Sequence, residues 1–219
     1  LRSINSPLNK SNTRTIILLE PNQRTLEKFT VFELRVLLLL GAIQFINILD
    51  FMMVLPLGPD FAGDLKIPLS ELGKVGGSYS FAAFLGGLVG MGLLPKFAKR
   101  VALGVLTFGP GISTVWGGLA QTLQSLLSAR LAAGLMGGPA TAVALALVSD
   151  VIHVGKRGRA MGALMMAFSV PSVAGVPLGL ELARLGTWRT PFFVLGGWLA
   201  YFPLASDLRF LDLRGQSLL

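Results

Sequence analysis

Cysteine is absent from this 219-residue chain, and histidine occurs once, at His153. No disulfide framework, thiolate metal site or cysteine nucleophile can be built without thiols. Charge is scarce too: 14% of residues are Asp, Glu, Lys or Arg, against 53% hydrophobic. A serine hydrolase working inside a membrane needs a base beside its serine. The single histidine falls in a predicted loop, and no buried Ser–Lys pair has helical spacing. The glycines follow no strand, so there is no dinucleotide fingerprint. No metal-ligand cluster is present. The sequence therefore predicts no enzyme, no cofactor and no metal. It also lacks a charged n-region followed by an apolar stretch and a cleavage site, so no secretory signal is read.

What the chain has instead is long apolar runs. Residues 34–57, 72–95, 101–120, 124–149, 160–183 and 191–206 each read as a span. About 20 mostly apolar residues cross a hydrocarbon core ~30 Å thick. The expected fold is an all-α polytopic membrane protein with six transmembrane helices. Residues 1–33 and 209–219 read as polar tails around a bundle at 34–208, and 60–70 as a short loop. Three spans followed by three suggest an inverted repeat, although the halves share no convincing sequence match.

Net charge is +8. The cations sit in turns beside the spans, so the partner implied is a lipid bilayer and not nucleic acid. Lys96, Lys99 and Arg100 follow span two, and Lys156, Arg157 and Arg159 follow span four. The positive-inside rule makes both turns, and both termini, cytoplasmic.

Few charges lie within the spans. Asp50, Arg130 and Glu181 are inside, with Lys74 and Asp150 near the ends. Such residues are expensive in lipid and usually face a bundle interior. Asp50 lies ~10 Å and Arg130 ~9 Å from the same predicted face, at 1.5 Å per helical residue. Equal depth makes them partners, either a titratable pair in a polar cavity or a static pair that fixes register. Asn47 shares the face of Asp50, and Gln44 lies one turn further on. Gly134 and Gly138 follow Arg130 at four-residue steps and leave bare backbone for water or a neighbouring helix. Gly86 and Gly90 have the same spacing in span two. Gly109-Pro110-Gly111 should kink span three. Pro171, Gly175, Pro177 and Gly179 mark span five.

Specific strings then become recognisable. Asn47-Ile48-Leu49-Asp50 through Pro56-Leu57-Gly58-Pro59 resembles the first helix of major facilitator superfamily transporters, in particular the drug:proton antiporter and sugar-efflux group. Arg130-Leu131-Ala132-Ala133-Gly134, on to Gly138-Pro139, is similar to that family's fourth-helix arginine motif. Arg157-Gly158-Arg159-Ala160-Met161-Gly162 resembles the start of its helix five. Ala174-Gly175-Val176-Pro177-Leu178-Gly179-Leu180 resembles its antiporter motif. Gly186-Thr187-Trp188-Arg189-Thr190-Pro191-Phe192-Phe193 is similar to its approach to helix six.

The resemblance implies the N-terminal half of a two-half transporter in a bacterial inner membrane. It implies proton-coupled efflux of a small organic substrate by alternating access. Asp50 would carry the proton and Arg130 would tune it, with Asn47 and Gln44 beside them. Lys96, Lys99, Arg100 and Asp150 would form the cytoplasmic gate, and Gly134, Gly138, Gly175, Pro177 and Gly179 the moving helix contacts. In the gate loop the family's acidic position is Pro95 and its glycine turn is Ala98. Asp150 is therefore expected to lose its charge network. The faces bearing Asp50, Asn47 and Arg130 are expected to lie uncovered until a second six-helix half packs on them. An inactive remnant half is the alternative reading.

Overall fold

Leucine-rich sequence with a good cap starts the first helix early. The computed structural model describes residues 28–93 and 99–205. α1 runs Val31–Met53. Thr30 Oγ1 accepts from the Glu33 amide at 3.2 Å, and Glu33 Oε2 accepts from the Thr30 amide at 2.7 Å. This reciprocal capping box satisfies two amides that the helix leaves free.

The stretch read as a loop is partly helical. α2, Gly58–Leu65, starts with Pro59 in its first turn and stops where Lys66 turns left-handed, at φ 54°. Proline is pre-set for a helix start because its missing N–H has no partner there anyway. A single 3₁₀ turn at Leu69–Glu71 leads into α3, Leu72–Leu93. α4 is Lys99–Gly118 and runs unbroken through Pro110. α5, Leu123–Val151, is capped by Thr122, whose hydroxyl accepts from the Ser125 amide at 3.2 Å. A 3₁₀ turn at Val154–Lys156 precedes α6, Arg157–Arg184, and α7 is Thr190–Ala205. Among the described residues five helices are long and apolar enough to cross a membrane, and α7, read from the sequence as the sixth span, has 16 residues. Lys96 and the altered gate loop around Pro95 lie outside the described residues, as do 1–27 and 206–219.

The main helix pairs are α1–α6, α3–α5, α4–α5 and α4–α7. The six spans in order are α1, α3, α4, α5, α6 and α7. Exchanging the first three for the last three turns the α1–α6 pair into α5–α3. The α4–α7 pair returns to itself. The α4–α5 pair maps onto the much sparser α7–α1 contact, so the halves correspond in part, in the manner of a 3+3 repeat that their sequences do not display.

Each of these pairs is closed by glycine. In lipid there is little hydrophobic gain from bringing helices together, so close van der Waals contact must hold them. A Cβ on Gly134 would run into the carbonyl oxygen of Tyr79, on Gly138 into that of Ala83, and on Gly86 into that of Leu135. These three join α3 to α5. On the symmetry-related pair, a Cβ on Gly175 would lie 2.8 Å from Leu49 Cδ1 and one on Gly179 2.9 Å from Met53 Cβ. Gly111 and Gly196 close α4 on α7 in the same way.

Two apolar clusters fill the bundle. One is built on Leu40, Leu103, Leu147 and Leu164 at the end with the basic turn, the other on Met53, Phe61, Leu126 and Phe192 at the opposite end. Outward surfaces are apolar as well, with Phe81, Phe84, Val173 and Trp198 exposed.

Candidate functional site

The sequence places Asp50 on α1 and Arg130 on α5, and packing brings them together. Arg130 Nη1 donates to Asp50 Oδ2 at 3.1 Å and Nη2 to Oδ1 at 3.5 Å. The fork matches the planar guanidinium to both carboxylate oxygens. Their side chains are 1% and 3% exposed. Arg130 also lies over the ring of Phe192, 4.9 Å from its centroid. Gly117 on α4 leaves room for Nη2, which sits 3.2 Å from where a Cβ would be.

This enclosure corrects one expectation. Asp50, Asn47 and Arg130 do not lie on uncovered faces; they are 2%, 5% and 1% exposed within the single bundle. The physical reason is that the two charges neutralise each other, so the bundle can close over them with α4 and the aromatic side of α7. No second bundle is needed to keep them from lipid.

The other predicted residues divide. Asn47 sits on the turn before Asp50, and its Nδ2 finds no hydrogen-bond partner. Gln44 is buried but belongs to a different level. Its Nε2 donates to Thr141 Oγ1 at 3.2 Å, well along α5 from Arg130. Gly134 and Gly138 do lie beside the arginine on α5, and the backbone of α3 fills the space they leave. Gly175 and Gly179 press on Leu49 and Met53, which flank Asp50 on α1. Pro177 is exposed on α6. Lys99 and Arg100 open α4. Asp150 is exposed at the end of α5. Glu181 pairs with Arg184 at 2.6 Å on the surface, and His153 Nδ1 accepts from the Gly155 amide.

Sequence reasoning missed several residues. Thr114 on α4 is fully buried with its hydroxyl unpartnered. Tyr79 of α3 lies within electrostatic range of both Asp50 and Arg130 and stacks on Phe51 at 5.2 Å. Neither carried a motif. The two ends of the bundle also hold ties. Lys156 Nζ donates to the Lys28 carbonyl at 2.9 Å and lies 3.5 Å from Glu33 Oε2. The Thr30-x-x-Glu33 capping pattern was the available signal there. At the opposite end Asp64 Oδ2 accepts from Trp188 Nε1 and from Arg189 Nη2, both at 2.9 Å. The indole N–H first, then the guanidinium, hold the Asp64 carboxyl below its ordinary value. Trp188 packs on Phe61 and edge-on to Phe192.

A family model for the Major Facilitator Superfamily matches residues 40–211. The chain belongs to that superfamily. It is 29% identical over 145 residues to the uncharacterised transporter YwfA of Bacillus subtilis, covering 65% of this chain and 35% of that protein. It is 27% identical over 150 residues to a chloramphenicol resistance protein of Streptomyces lividans, covering 68% and 36%. A probable sugar efflux transporter of Helicobacter acinonychis is 27% identical over 139 residues, covering 63% and 35%. The chain thus spans about a third of the length of these curated relatives. In fold it is similar to a bacterial homologue of the lysosomal transporter Spinster, with a TM-score of 0.72 at 18% identity over 84% of this chain and 44% of that one. It is therefore an integral membrane protein with half of the major facilitator fold. The Asp50–Arg130 pair lies in the interior of that half.

Proposed function

We propose that the chain forms the N-terminal half of a proton-coupled exporter of a small organic compound, working by alternating access in a bacterial inner membrane. The observation that carries this reading is the enclosed Asp50–Arg130 pair inside the bundle. An intramembrane ion pair is a functional site by default, and a carboxylate held by a cation can exchange that partner for a proton. Asp50 takes the proton in place of its bond to Arg130. The relatives named for chloramphenicol resistance and sugar efflux support a small organic substrate and the outward direction. The basic turn at Lys156, Arg157 and Arg159 supports cytoplasmic termini. Members of this superfamily are transporters, so no catalytic step is assigned. The second six-helix bundle completes the substrate path.

The test is flux in proteoliposomes carrying an imposed pH gradient, with this chain alone and together with a C-terminal six-helix half. Saturable, gradient-driven flux in the paired sample, abolished by Asp50→Asn, is the expected result. Flux that ignores the gradient or survives Asp50→Asn would remove the coupling role.

One observation favours a second reading. The pair is so completely covered that it also suits a static clasp setting the register of α1 on α5. On that reading the chain is a stable bundle without transport, and no partner half restores flux.

A further inference from the structure

Trp188, Arg189 and Phe192 lie together at the start of α7, and each makes a directed contact. Trp188 Nε1 and Arg189 Nη2 both donate to Asp64 Oδ2 on α2 at 2.9 Å. Arg189 also lies over the Trp188 ring, 4.7 Å from its centroid, and its Nη1 donates to the Gly118 carbonyl at 3.4 Å. The Trp188 ring meets Phe192 edge-on, at 89° and 5.7 Å. Phe192 in turn sits against the end of α4: Cβ atoms on Gly117 and Gly118 would lie 3.4 Å from its Cδ1 and 3.0 Å from its Cβ. Its ring faces the Arg130 guanidinium at 4.9 Å. A tryptophan at a membrane interface ordinarily keeps its polar edge wet, at the headgroup level. Trp188 is 5% exposed and spends its N–H on a carboxylate of its own chain.

We propose that Asp64 and Trp188 are positioning residues for the Asp50–Arg130 pair. Asp64 fixes the indole, the indole fixes the plane of the Phe192 ring, and that ring seats the guanidinium on Asp50. Hydrogen bonds alone leave the guanidinium under-determined. Both Nη atoms face Asp50, while Nε has no hydrogen-bond partner among the described residues. What remains to seat it is the ring, whose attraction for a cation is confined to its face and so depends on how the ring is turned. Aromatic pairs prefer an edge-to-face contact, which makes Trp188 a constraint on that turn and not only a filler. A half-exposed carboxylate at one end of the bundle thereby bears on a buried charge pair three contacts away. In the proton-coupled reading, on which this clause alone rests, release of the clasp frees Arg130 to leave Asp50.

The experiment reads Arg130 itself in the detergent-solubilised chain. Nuclei above an aromatic face are shifted upfield, so the NMR signal of the Arg130 Nε–H group reports the Phe192 ring. The signal is identified by its absence from an Asp50→Leu, Arg130→Met chain, and its displacement in Phe192→Leu sets the full scale. Asp64→Ala, at a half-exposed position, and Trp188→Phe, which keeps a ring but removes the N–H, should each move it at least half of that distance. Asp64→Asn, which keeps an acceptor oxygen, should move it much less. A role in packing alone would leave the signal in place. An Arg130 signal unmoved by Asp64→Ala overturns the proposal. So does equal displacement by Asp64→Asn, which would trace the effect to charge. Should Trp188→Phe fail to fold, the two Asp64 variants decide. Melting gives a second reading. The drop in melting temperature caused by Asp64→Ala should be smaller in a Phe192→Leu background, because only sites without a shared partner add. Equal drops in the two backgrounds overturn the proposal. Neither measurement reads flux, so the outcome is independent of whether Asp50 carries a coupled proton.

Discussion

The guanidinium of Arg130 is held on its Nη edge by Asp50 and covered on one face by the ring of Phe192. A desolvated cation–π contact contributes about 2 kcal/mol. Phe192→Leu keeps an apolar filler and removes the ring face. The expected loss is about 1–2 kcal/mol in reversible unfolding from detergent, beyond any change from packing alone. Phe192→Tyr, which keeps the face, should restore most of it. Equal stability of the Leu and Tyr variants would show that the ring only fills space.

The pair itself makes an asymmetric prediction. Asp50→Asn leaves Arg130 charged and buried alone, which destabilises by about 3–5 kcal/mol. Removing both charges with Asp50→Leu and Arg130→Met should recover most of that stability, since a well-packed apolar pair can match a buried ion pair. The double variant should fold and carry no gradient-driven flux. A double-mutant cycle on melting, run beside the flux assay, separates the structural contribution from the functional one.

Glycine positions on the helices should divide sharply. A Cβ at Gly134 meets the Tyr79 carbonyl, while one at Gly87 meets nothing within 4 Å. Gly134→Ala must push α3 and α5 apart, with an expected loss of about 1–3 kcal/mol from overpacking. Gly87→Ala should be neutral or gain about 0.5–1 kcal/mol from helix preference. Matched losses at the two sites would contradict the backbone contact.

The Asp64 clasp should respond to acid. Its carboxyl is held below the ordinary 3.8 by Trp188 and then Arg189. A depressed folded value means the stabilisation is fully present above the unfolded value. It is lost as pH falls through the lower, folded one. Trp188 emission in a Trp116→Phe, Trp198→Phe chain should stay constant from pH 7 to about 4 and change only below that range. Asp64→Asn should flatten the transition.

Topology is testable because the native chain has no cysteine. On the proposed orientation, a Lys99→Cys protein in intact cells should resist an impermeant thiol reagent and react after permeabilisation. Labelling from outside in intact cells would reverse the assignment.

Much of the fold was legible because spans are set by bilayer thickness, which a run of apolar residues states directly. Depth along the helices also paired Asp50 with Arg130, since two charges at one level have few other partners. The inward closure over that pair was not legible. It depends on Phe192 and Gly117, two apolar or featureless residues whose role appears only once α7 and α4 are in place. Thr114 was hidden for the same reason. Gln44 shows the opposite error: shared polarity with Asp50 suggested a shared cavity, but six residues of rise take it to Thr141 instead. The α2 helix was readable from Pro59 and Asp60, a helix-start pattern that short loops also carry.

α1 is fastened at both supports. Glu33 and the Lys28 carbonyl hold its start to Lys156, just before α6, and the α2 segment that follows it is held through Asp64 to the start of α7. Mechanically it is a beam built in at each end, with Asp50 between the fixings. A load applied at Asp50 can bow or twist such a beam but cannot slide it along its axis. Both fixings belong to the last three spans. A change at Asp50 therefore acts on α5 directly through Arg130, and reaches the starts of α6 and α7 only as bending or torque passed through the two fixings.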